Sequence, residues 1–267
     1  MSQNDLVRQR EAVSKTYGSE ASDELCSRLR SARSICVLTG AGMSVESGLA
    51  TFRDPGGLWD TYRPEELANE AAFRRNPALV QGWYDARRRQ ALDAEPNPGH
   101  RALAKLENSV EEFTLVTQNV DGLHQRAGSE NIIEIHGNIV DELCIECGRP
   151  ADGTEAAPGD DALRRCRSCE GLLRPGVVWF GEMLPEGAFS RAAQAAAAAD
   201  VFLSVGTSSV VYPAAELPHI AGNSGSYVVE VNVEPSAAAN SMSEVLVGPA
   251  GSILPELAAL LIQSQDS

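Results

Sequence analysis

The sequence predicts an α/β fold in which a parallel sheet has helices on both faces, together with a smaller second domain formed by insertions. Two observations carry this prediction. Short runs rich in Val, Ile or Leu recur along the chain with helical stretches between several of them, and strands that alternate with helices form a parallel sheet covered on both faces. Two stretches, 50–96 and 139–183, interrupt this alternation and are the predicted insertions.

Six apolar runs are the predicted strands, and most of them end in Gly, Asn or Thr. They are SICVLTGAG (34–42), FTLVTQNVDG (113–122), NIIEIHGN (131–138), VFLSVGTSS (201–209), YVVEVNVE (227–234) and VLVG (245–248). Residues 97–108 and 186–199 are predicted helices between strands. Because ligands of parallel sheets bind beyond the carboxyl ends of the strands, the polar residues at these ends are candidates for a site.

The first strand runs into a glycine-rich turn, which makes the predicted sheet Rossmann-like. Gly40 and Gly42 let the backbone approach a pyrophosphate, and the next helix would offer its N-terminal amides. The third glycine of the dinucleotide fingerprint is missing, since position 45 is Val, and no acidic residue ends a second strand about 20 residues on. An ordinary hydride-transferring dehydrogenase is therefore disfavoured, and a tight turn without a ligand is the alternative.

Polar residues also end the later strands, where they would bring amides, hydroxyls, a carboxylate and an imidazole to one edge of the sheet. They are Gln118, Asn119, Asp121, His136, Gly206, Thr207, Ser208, Asn232 and Glu234. Each also has a simpler interpretation, because Asn-x-Asp-Gly can be a turn and a lone histidine is often structural. Their shared placement at strand ends is what favours a site.

Four of the six cysteines form two CxxC pairs with 18 residues between them; they are Cys144, Cys147, Cys166 and Cys169. Two CxxC turns supply the four thiolates of a tetrahedral zinc site. Four sulfur ligands leave no open coordination position, so we expect one structural zinc ion per chain that holds a lobe without a core of its own. The alternatives are disulfides, which a cytosolic setting disfavours, and redox catalysis, whose CxxC motif normally opens a helix after a strand.

The charge balance excludes some partners. The chain of 267 residues has 37 acidic and 22 basic residues and a net charge of −15, and such a surface repels phosphate backbones. No run approaches the roughly 18 apolar residues of a membrane helix, and the first residues lack the apolar core of a secretory signal. We therefore expect neither nucleic acid nor membrane as a partner, and a cytoplasmic location.

Taken together, these motifs resemble those of the sirtuins, the NAD-dependent protein-lysine deacylases. The resemblance covers about residues 30–260 and follows the order of the family. Besides the two CxxC pairs, the matching stretches are GAGMSVESGLATFRDPGGLW (40–59), TQNVDGLHQRAG (117–128), EIHGN (134–138), PGVVWFGEMLP (175–185), VGTSSVVYPAAELP (205–218) and VNVE (231–234).

The resemblance implies a role for each matching position. His136 would be the catalytic base, with Asn119 as a second catalytic residue. The implied NAD contacts are Gly40, Ala41, Gly42, Ser44, Phe52, Arg53, Trp59, Gln118, Asn119, Val120, Asp121, Gly206, Thr207, Ser208, Asn232, Val233, Glu234 and Ala250. The implied contacts to the acylated substrate are Ala68, Tyr84, Arg87, Val178, Phe180 and Gly181, with residues 178–181 pairing with the substrate backbone.

The resemblance also implies the reaction and the organisation of the chain. The acyl oxygen of a modified lysine attacks C1′ of the nicotinamide ribose, and nicotinamide leaves. His136 removes a proton from a ribose hydroxyl, whose oxygen then attacks the acyl carbon, and water completes the transfer. The products are nicotinamide, 2′-O-acyl-ADP-ribose and free lysine. The partners would be acylated lysines of other proteins, and the enzyme a monomer. The NAD-binding domain would comprise 31–49, 97–138 and 184–262; residues 1–30 would be a helical extension, 50–96 the cofactor loop and helical insertion, and 139–183 the zinc module.

The acyl group is suggested by a pair of residues on a predicted helix. Tyr84 and Arg87 are three positions apart and share a face, and a guanidinium beside a phenol can hold a carboxylate. The pair resembles the YxxR motif of class III sirtuins, which remove succinyl, malonyl or glutaryl groups, and Ala68 resembles their small channel residue. A merely basic helix face, Arg87–Arg89, is the alternative. We expect both desuccinylation and deacetylation.

Two other functions stay open at this point. A mono-ADP-ribosyltransferase would use the same NAD site but pass ADP-ribose to a protein side chain. A non-catalytic NAD-binding or zinc-ribbon module would need no base, although His136 and Asn119 are both present.

Overall fold

The fold is built on a parallel sheet of six strands, seen in a computed structural model that describes residues 18–49, 64–151 and 163–262. The strands are β1 (Ser34–Thr39), β2 (Glu112–Thr117), β3 (Ile132–Glu134), β6 (Val201–Val205), β7 (Tyr227–Asn232) and β8 (Glu244–Val247). They lie side by side in the order β3-β2-β1-β6-β7-β8, and every neighbouring pair is parallel. The predicted α/β class and the six predicted strands are confirmed, and the order reverses direction between β1 and β6, as in dinucleotide-binding sheets.

Helices cover both faces of this sheet. On one face lie α1 (Asp23–Ser31), α5 (Pro98–Glu107) and α9 (Ala250–Ile262), whose apolar residues pack in one core with Ile35 and Val37 of β1. On the other face lie α7 (Ala188–Ala198) and α8 (Leu217–Asn223), which share a second core with Cys36 and Leu38. This division follows from the strand itself, because successive side chains point to opposite faces.

The insertions form a separate layer with its own core. They contain α2 (Pro64–Leu67), α3 (Glu70–Arg75), α4 (Pro77–Asp93) and an antiparallel pair, β4 (Gly137–Cys144) and β5 (Leu173–Val177), while the short α6 (Leu123–Ala127) follows β2. Phe73, Trp83 and Tyr84 of the helices pack in this core with Ile139 and Trp179 of the cysteine-bearing insertion. The two insertions therefore stabilise each other, whereas the exact boundaries between domains stay a prediction.

The turn after β1 differs from the ordinary helix expected there. Ala41–Ser47 forms a 3₁₀ helix that ends at Gly48. Its start is tied to the loop after β6, since the Gly40 amide donates to the Val205 carbonyl at 3.0 Å and the Gly42 amide to the Gly206 carbonyl at 2.8 Å. A side chain at Gly206 would put its Cβ 2.4 Å from the Met43 nitrogen. The two loops thus cross at backbone contact distance.

Two expectations concern the ends of the chain and the membrane. Within the predicted extension 1–30, the structure describes residues from Gly18 onward, and α1 lies in it. No helix in the described parts of the chain is both long and apolar enough to cross a membrane.

The crossing of the two loops predicts a stability difference between two glycine substitutions. Gly206 has φ +59° and no room for a Cβ, whereas Gly128 has φ +99° and open space around it. We expect Gly206→Ala to lower the free energy of unfolding by about 3 kcal/mol, since a left-handed non-glycine residue costs about 1 kcal/mol and overpacking about 2 kcal/mol more. Gly128→Ala should cost only the backbone part, about 1 kcal/mol. Urea unfolding measures both, and equal losses in the two variants would contradict the crossing.

Candidate active site

The candidate site lies at the switch point of the sheet, beyond the carboxyl ends of β1, β2, β6 and β7. Thr207 is held from two sides there. Its hydroxyl accepts a hydrogen bond from Gln118 Nε2 at 3.0 Å, and its carbonyl accepts one from Asn232 Nδ2 at 3.0 Å. Three of the predicted strand-end residues are therefore brought together directly, beside the crossing of Gly40 and Gly206.

A buried network fixes Asn119. Its Nδ2 donates to the Gly40 carbonyl at 3.0 Å and to Ser44 Oγ at 3.2 Å, and Ser44 Oγ donates to an Asp121 carboxylate oxygen at 2.8 Å. Burial raises the pKa of Asp121. Because both amide protons of Asn119 are used, its Oδ1 is the atom left to accept from a ligand, and no donor to it occurs in the described residues.

His136 is oriented as a base. Its Nδ1 lies 3.1 Å from the Gln118 carbonyl oxygen, and a carbonyl can only accept, so Nδ1 carries the proton and Nε2 the lone pair. Burial lowers the pKa of His136, although the hydrogen bond to Gln118 opposes this. The Val178 amide donates to the His136 carbonyl at 2.9 Å and fixes the backbone at this point. A neutral imidazole with a free lone pair can accept a proton from a hydroxyl.

The remaining predicted cofactor contacts come from the same loops or from neighbouring elements. Ala41 is the first residue of the 3₁₀ helix, Ser208 follows Thr207, and Ala250 begins α9 and is buried. Val233 and Glu234 follow β7 and are exposed. Val120 is half-buried against the core of the insertions. Phe52, Arg53 and Trp59 lie outside the described residues.

The close glycine crossing fits a dinucleotide. Added Cβ atoms at Gly40 and Gly42 would each lie 2.8 Å from backbone atoms of Gly206. Only glycine therefore permits this backbone cradle, which a pyrophosphate needs for close approach. The acceptor atom of Asn119 adds a polar group that the protein leaves for a ligand.

The predicted acyl-binding pair lies on α4. The Tyr84 side chain is buried, and its oxygen accepts a hydrogen bond from Trp179 Nε1 at 3.0 Å. Burial raises the pKa of Tyr84 to about 12. The Arg87 guanidinium lies 4.8 Å from the centre of the Trp83 ring, and burial lowers the pKa of Arg87.

The alternative interpretation of 87–89 was a uniformly basic helix face, but the three arginines have different surroundings. Arg87 is half-buried over an aromatic ring, while Arg89 is exposed. Arg88 forms ion pairs with Asp85 at 2.9 Å and Glu142 at 3.2 Å. Of the three, Arg87 is the one set beside the Tyr84 phenol.

The segment 178–181, predicted to pair with substrate, is partly bound to the protein itself. The Val178 amide donates to His136, and the Phe180 amide donates to the Ala68 carbonyl at 3.0 Å. The Phe180 side chain is exposed, and Gly181 has φ +88°. A substrate strand would therefore have to use other backbone groups than these two amides.

The four cysteines of the CxxC pairs come together as predicted. All four sulfur atoms lie within 4.8 Å of one another, with Cys144 and Cys169 at 3.4 Å and Cys147 and Cys166 at 3.8 Å. Tetrahedral zinc with bonds of about 2.3 Å places its sulfur ligands about 3.8 Å apart. The distances exceed the roughly 2.05 Å of a disulfide bond, so the donor set fits one zinc ion.

Two features near the site were not predicted. An ion-pair network joins α4 to the cysteine-bearing insertion, in which Arg164 contacts both Asp85 and Glu142 at 2.7 Å. Because these side chains are distant in sequence, no local spacing predicts the ion pairs between them.

The second unpredicted feature is a buried histidine pair behind the strand ends. The rings of His100 and His124 lie 4.7 Å apart, and His124 Nε2 lies 3.0 Å from Thr39 Oγ1. Burial lowers the pKa of His100 to about 4 and that of His124 well below its usual value. Each ring is therefore neutral in the native state near neutral pH.

Comparisons with known proteins agree with this geometry. The family model described as Sir2 family matches residues 40–213. NAD-dependent protein deacylase 2 of Pyrobaculum aerophilum is 51% identical over 229 residues, which are 86% of this chain and 91% of that protein. The crystal structure of a Sir2 homologue–NAD complex has a TM-score of 0.86 and 41% identity, covering 93% of this chain and 97% of that one. A mutant Sir2 homologue with 2′-O-acetyl-ADP-ribose has the same score and identity, covering 92% and 99%.

The histidine pair predicts a loss of stability in acid. A buried neutral histidine stabilises the native state above its unfolded pKa of about 6.5, and this contribution is lost as the pH falls toward the folded value. With a folded pKa of about 4, His100 alone accounts for about 2 kcal/mol between about pH 7.5 and pH 5. Urea unfolding at both pH values should show that His100→Gln loses less stability on acidification than the wild type, by about this amount. Parallel losses would contradict the prediction.

Proposed function

The chain belongs to the Sir2 family, and we propose that it removes succinyl, malonyl and acetyl groups from protein lysines in a reaction that consumes NAD and one water molecule. The products are nicotinamide, 2′-O-acyl-ADP-ribose and free lysine. One observation carries the proposal. Three consecutive residues join the candidate base to the acyl-binding pair, since Val178 bonds to His136, Trp179 to Tyr84 and Phe180 to Ala68.

The proposed NAD site lies at the switch point, beyond the carboxyl ends of β1, β2, β6 and β7. When bound, NAD supplies an electrophilic ribose carbon and the hydroxyl that receives the acyl group. Gly40 and Gly42 give their backbone to the pyrophosphate, and the Asn119 network orients polar groups toward the nicotinamide ribose. The residues that end β6 and β7 face the adenosine half.

His136 is the proton acceptor of the proposed reaction. Its Nε2 lone pair takes a proton from a ribose hydroxyl, while Nδ1 stays bonded to the Gln118 carbonyl. Because burial lowers the pKa of His136, the base stays unprotonated at neutral pH and loses this function only in acid.

The acyl preference rests on Arg87 and Tyr84. Burial lowers the pKa of Arg87, which means that its cation has lost hydration and gains from an anionic partner. A succinyl or malonyl carboxylate supplies this partner, with Tyr84 as a neutral donor beside it. A charged hydrogen bond contributes about 1.5–3 kcal/mol, whereas an acetyl group gains none of this energy.

The four cysteines hold one structural zinc ion in the proposal. Four thiolates complete a tetrahedral shell, so the ion has no open position for substrate. It stabilises the end of the β4–β5 pair, where the buried cluster of Cys144, Cys166 and Leu173 is too small to hold the lobe alone.

The proposed role of Arg87 predicts a change in acyl preference. Arg87→Met should lower kcat/KM for a succinyl-lysine peptide by about 10- to 100-fold, mainly through KM, because one charged hydrogen bond is lost. The acetyl-lysine peptide of the same sequence should change by less than about threefold. Arg89→Met removes an exposed arginine two positions further on the same helix and serves as the control. Equal losses on both peptides, or no succinyl turnover by the wild type, would contradict the proposed acyl group.

The second prediction concerns the metal. Purified protein should contain one zinc ion per chain by elemental analysis, and Cys169→Ser should lose the metal and lower Tm. Cys26→Ser, outside the cluster, should keep both. A protein without metal, in which thiol titration finds the four cysteines oxidised, would show that they are disulfides.

A further inference from the structure

We propose that Trp179 is a positioning residue that sets the acyl preference by directing the hydroxyl proton of Tyr84 toward the acyl group. This inference deepens the proposed function and rests on it. The substrate class it favours is a lysine acylated with a short dicarboxylic acid.

One buried hydrogen bond joins the Trp179 indole to the Tyr84 phenol, and only one direction is open to it. Trp179 Nε1 and Tyr84 Oη are 3.0 Å apart, and both side chains are buried, with 1% and 5% of their surface exposed. An indole N–H can only donate, so the phenol oxygen must accept here. The Tyr84 proton then points to the other side of the oxygen in the ring plane, and no acceptor for it occurs among the described residues. A carboxylate is the acceptor this proton fits.

Contacts on several sides restrict rotation of the Trp179 indole ring. The Arg174 guanidinium lies 3.5 Å from the centre of its indole ring, and the Trp179 amide donates to a Glu182 carboxylate oxygen at 2.8 Å. Arg174 is itself buried and paired with the same carboxylate. The ring of Phe73 packs against the indole at 5.4 Å between centres. The N–H direction is therefore fixed by charges and rings on several sides.

The second donor is held by the same group of rings. Trp83 lies edge-on to Tyr84, at 4.6 Å and 89°, and the Arg87 guanidinium lies over Trp83 at 4.8 Å. The phenol and the guanidinium thus have fixed positions on adjacent aromatic supports. A bound carboxylate can accept from both at once without reordering either side chain.

Packing alone does not account for an indole at this position. A buried N–H costs free energy unless it has a partner, and a phenylalanine would fill an apolar core without that need. The partner of the Trp179 N–H is the phenol oxygen of Tyr84, which lies on α4 together with Arg87. Trp179 also lies between Val178 and Phe180, whose amides bind His136 and Ala68. Residues 178–180 therefore hold three groups in place: the candidate base His136, the small residue Ala68 and the Tyr84 phenol.

The test compares kcat and KM on matched succinyl- and acetyl-lysine peptides. Trp179→Phe removes the N–H and keeps an aromatic ring. We expect it to lower the succinyl-to-acetyl ratio of kcat/KM by about 3- to 10-fold, through the KM for the succinyl peptide, as expected for a neutral hydrogen bond. Tyr84→Phe should lower the ratio at least as much. Adding Trp179→Phe to Tyr84→Phe should then have no further effect, because the bond is already absent.

Phe73→Leu is the matched packing control, since it loosens the same ring stack and leaves the N–H in place. It should lower Tm and leave the ratio unchanged. If Trp179→Phe does not fold, replacement of Trp179 by 3-benzothienylalanine, in which sulfur takes the place of the N–H, makes the same comparison at nearly equal shape.

Three outcomes would overturn the inference. Equal shifts of the ratio in Trp179→Phe and Phe73→Leu would make Trp179 a packing residue. An unchanged ratio in Trp179→Phe, with a collapse in Arg87→Met, would remove Trp179 from the acyl site and leave the proposed function intact. An unchanged ratio in Arg87→Met as well would overturn the proposed acyl preference and the inference with it.

Discussion

The turn after β1 and the loop after β6 cross at backbone contact distance, and this crossing holds the polar groups of the candidate site in place. It requires glycine on both sides, because Cβ atoms at Gly42 or Gly206 would enter the opposite backbone. The crossing fixes the position of the Gly40 carbonyl, which accepts a hydrogen bond from Asn119. It also fixes the start of the loop after β6, where Thr207 accepts hydrogen bonds from Gln118 and Asn232. Polar groups of the candidate site from four strands thus depend on one contact that contains no side chain.

The second half of the site depends on a segment outside the sheet. Residues 178–180 connect His136 to Ala68 and Tyr84, so one short stretch of chain holds the candidate base and the Tyr84 phenol of the proposed acyl-binding pair. The ion pairs of Arg164 with Asp85 and Glu142 then tie α4 to the cysteine-bearing insertion. A zinc ion held by the four cysteines would therefore affect the proposed reaction indirectly, by stabilising the lobe against which α4 packs.

What could be predicted from the sequence is what has a local signal. The apolar runs predicted the strands, and the polar residues at their ends predicted the edge of the sheet where the candidate site lies. The spacing of the CxxC pairs predicted the sulfur cluster of Cys144, Cys147, Cys166 and Cys169. The pairing of Trp179 with Tyr84 has no such signal, because 95 residues separate them. The neutral pair of His100 and His124 was also missed, since burial by the whole fold sets the pKa of each ring. The 3₁₀ form of Ala41–Ser47 likewise follows from the distant loop at Gly206.

The acylated product distinguishes deacylation from ADP-ribosyl transfer. The protein would be incubated with NAD and a succinyl-lysine peptide, and the masses and amounts of all products would be determined by mass spectrometry and chromatography. For a deacylase we expect equal amounts of deacylated peptide, nicotinamide and succinyl-ADP-ribose, with no ADP-ribose attached to protein or peptide. Nicotinamide release with ADP-ribose on a protein side chain and the succinyl group still on its lysine would contradict deacylation. That result would make the same NAD site the centre of a mono-ADP-ribosyltransferase.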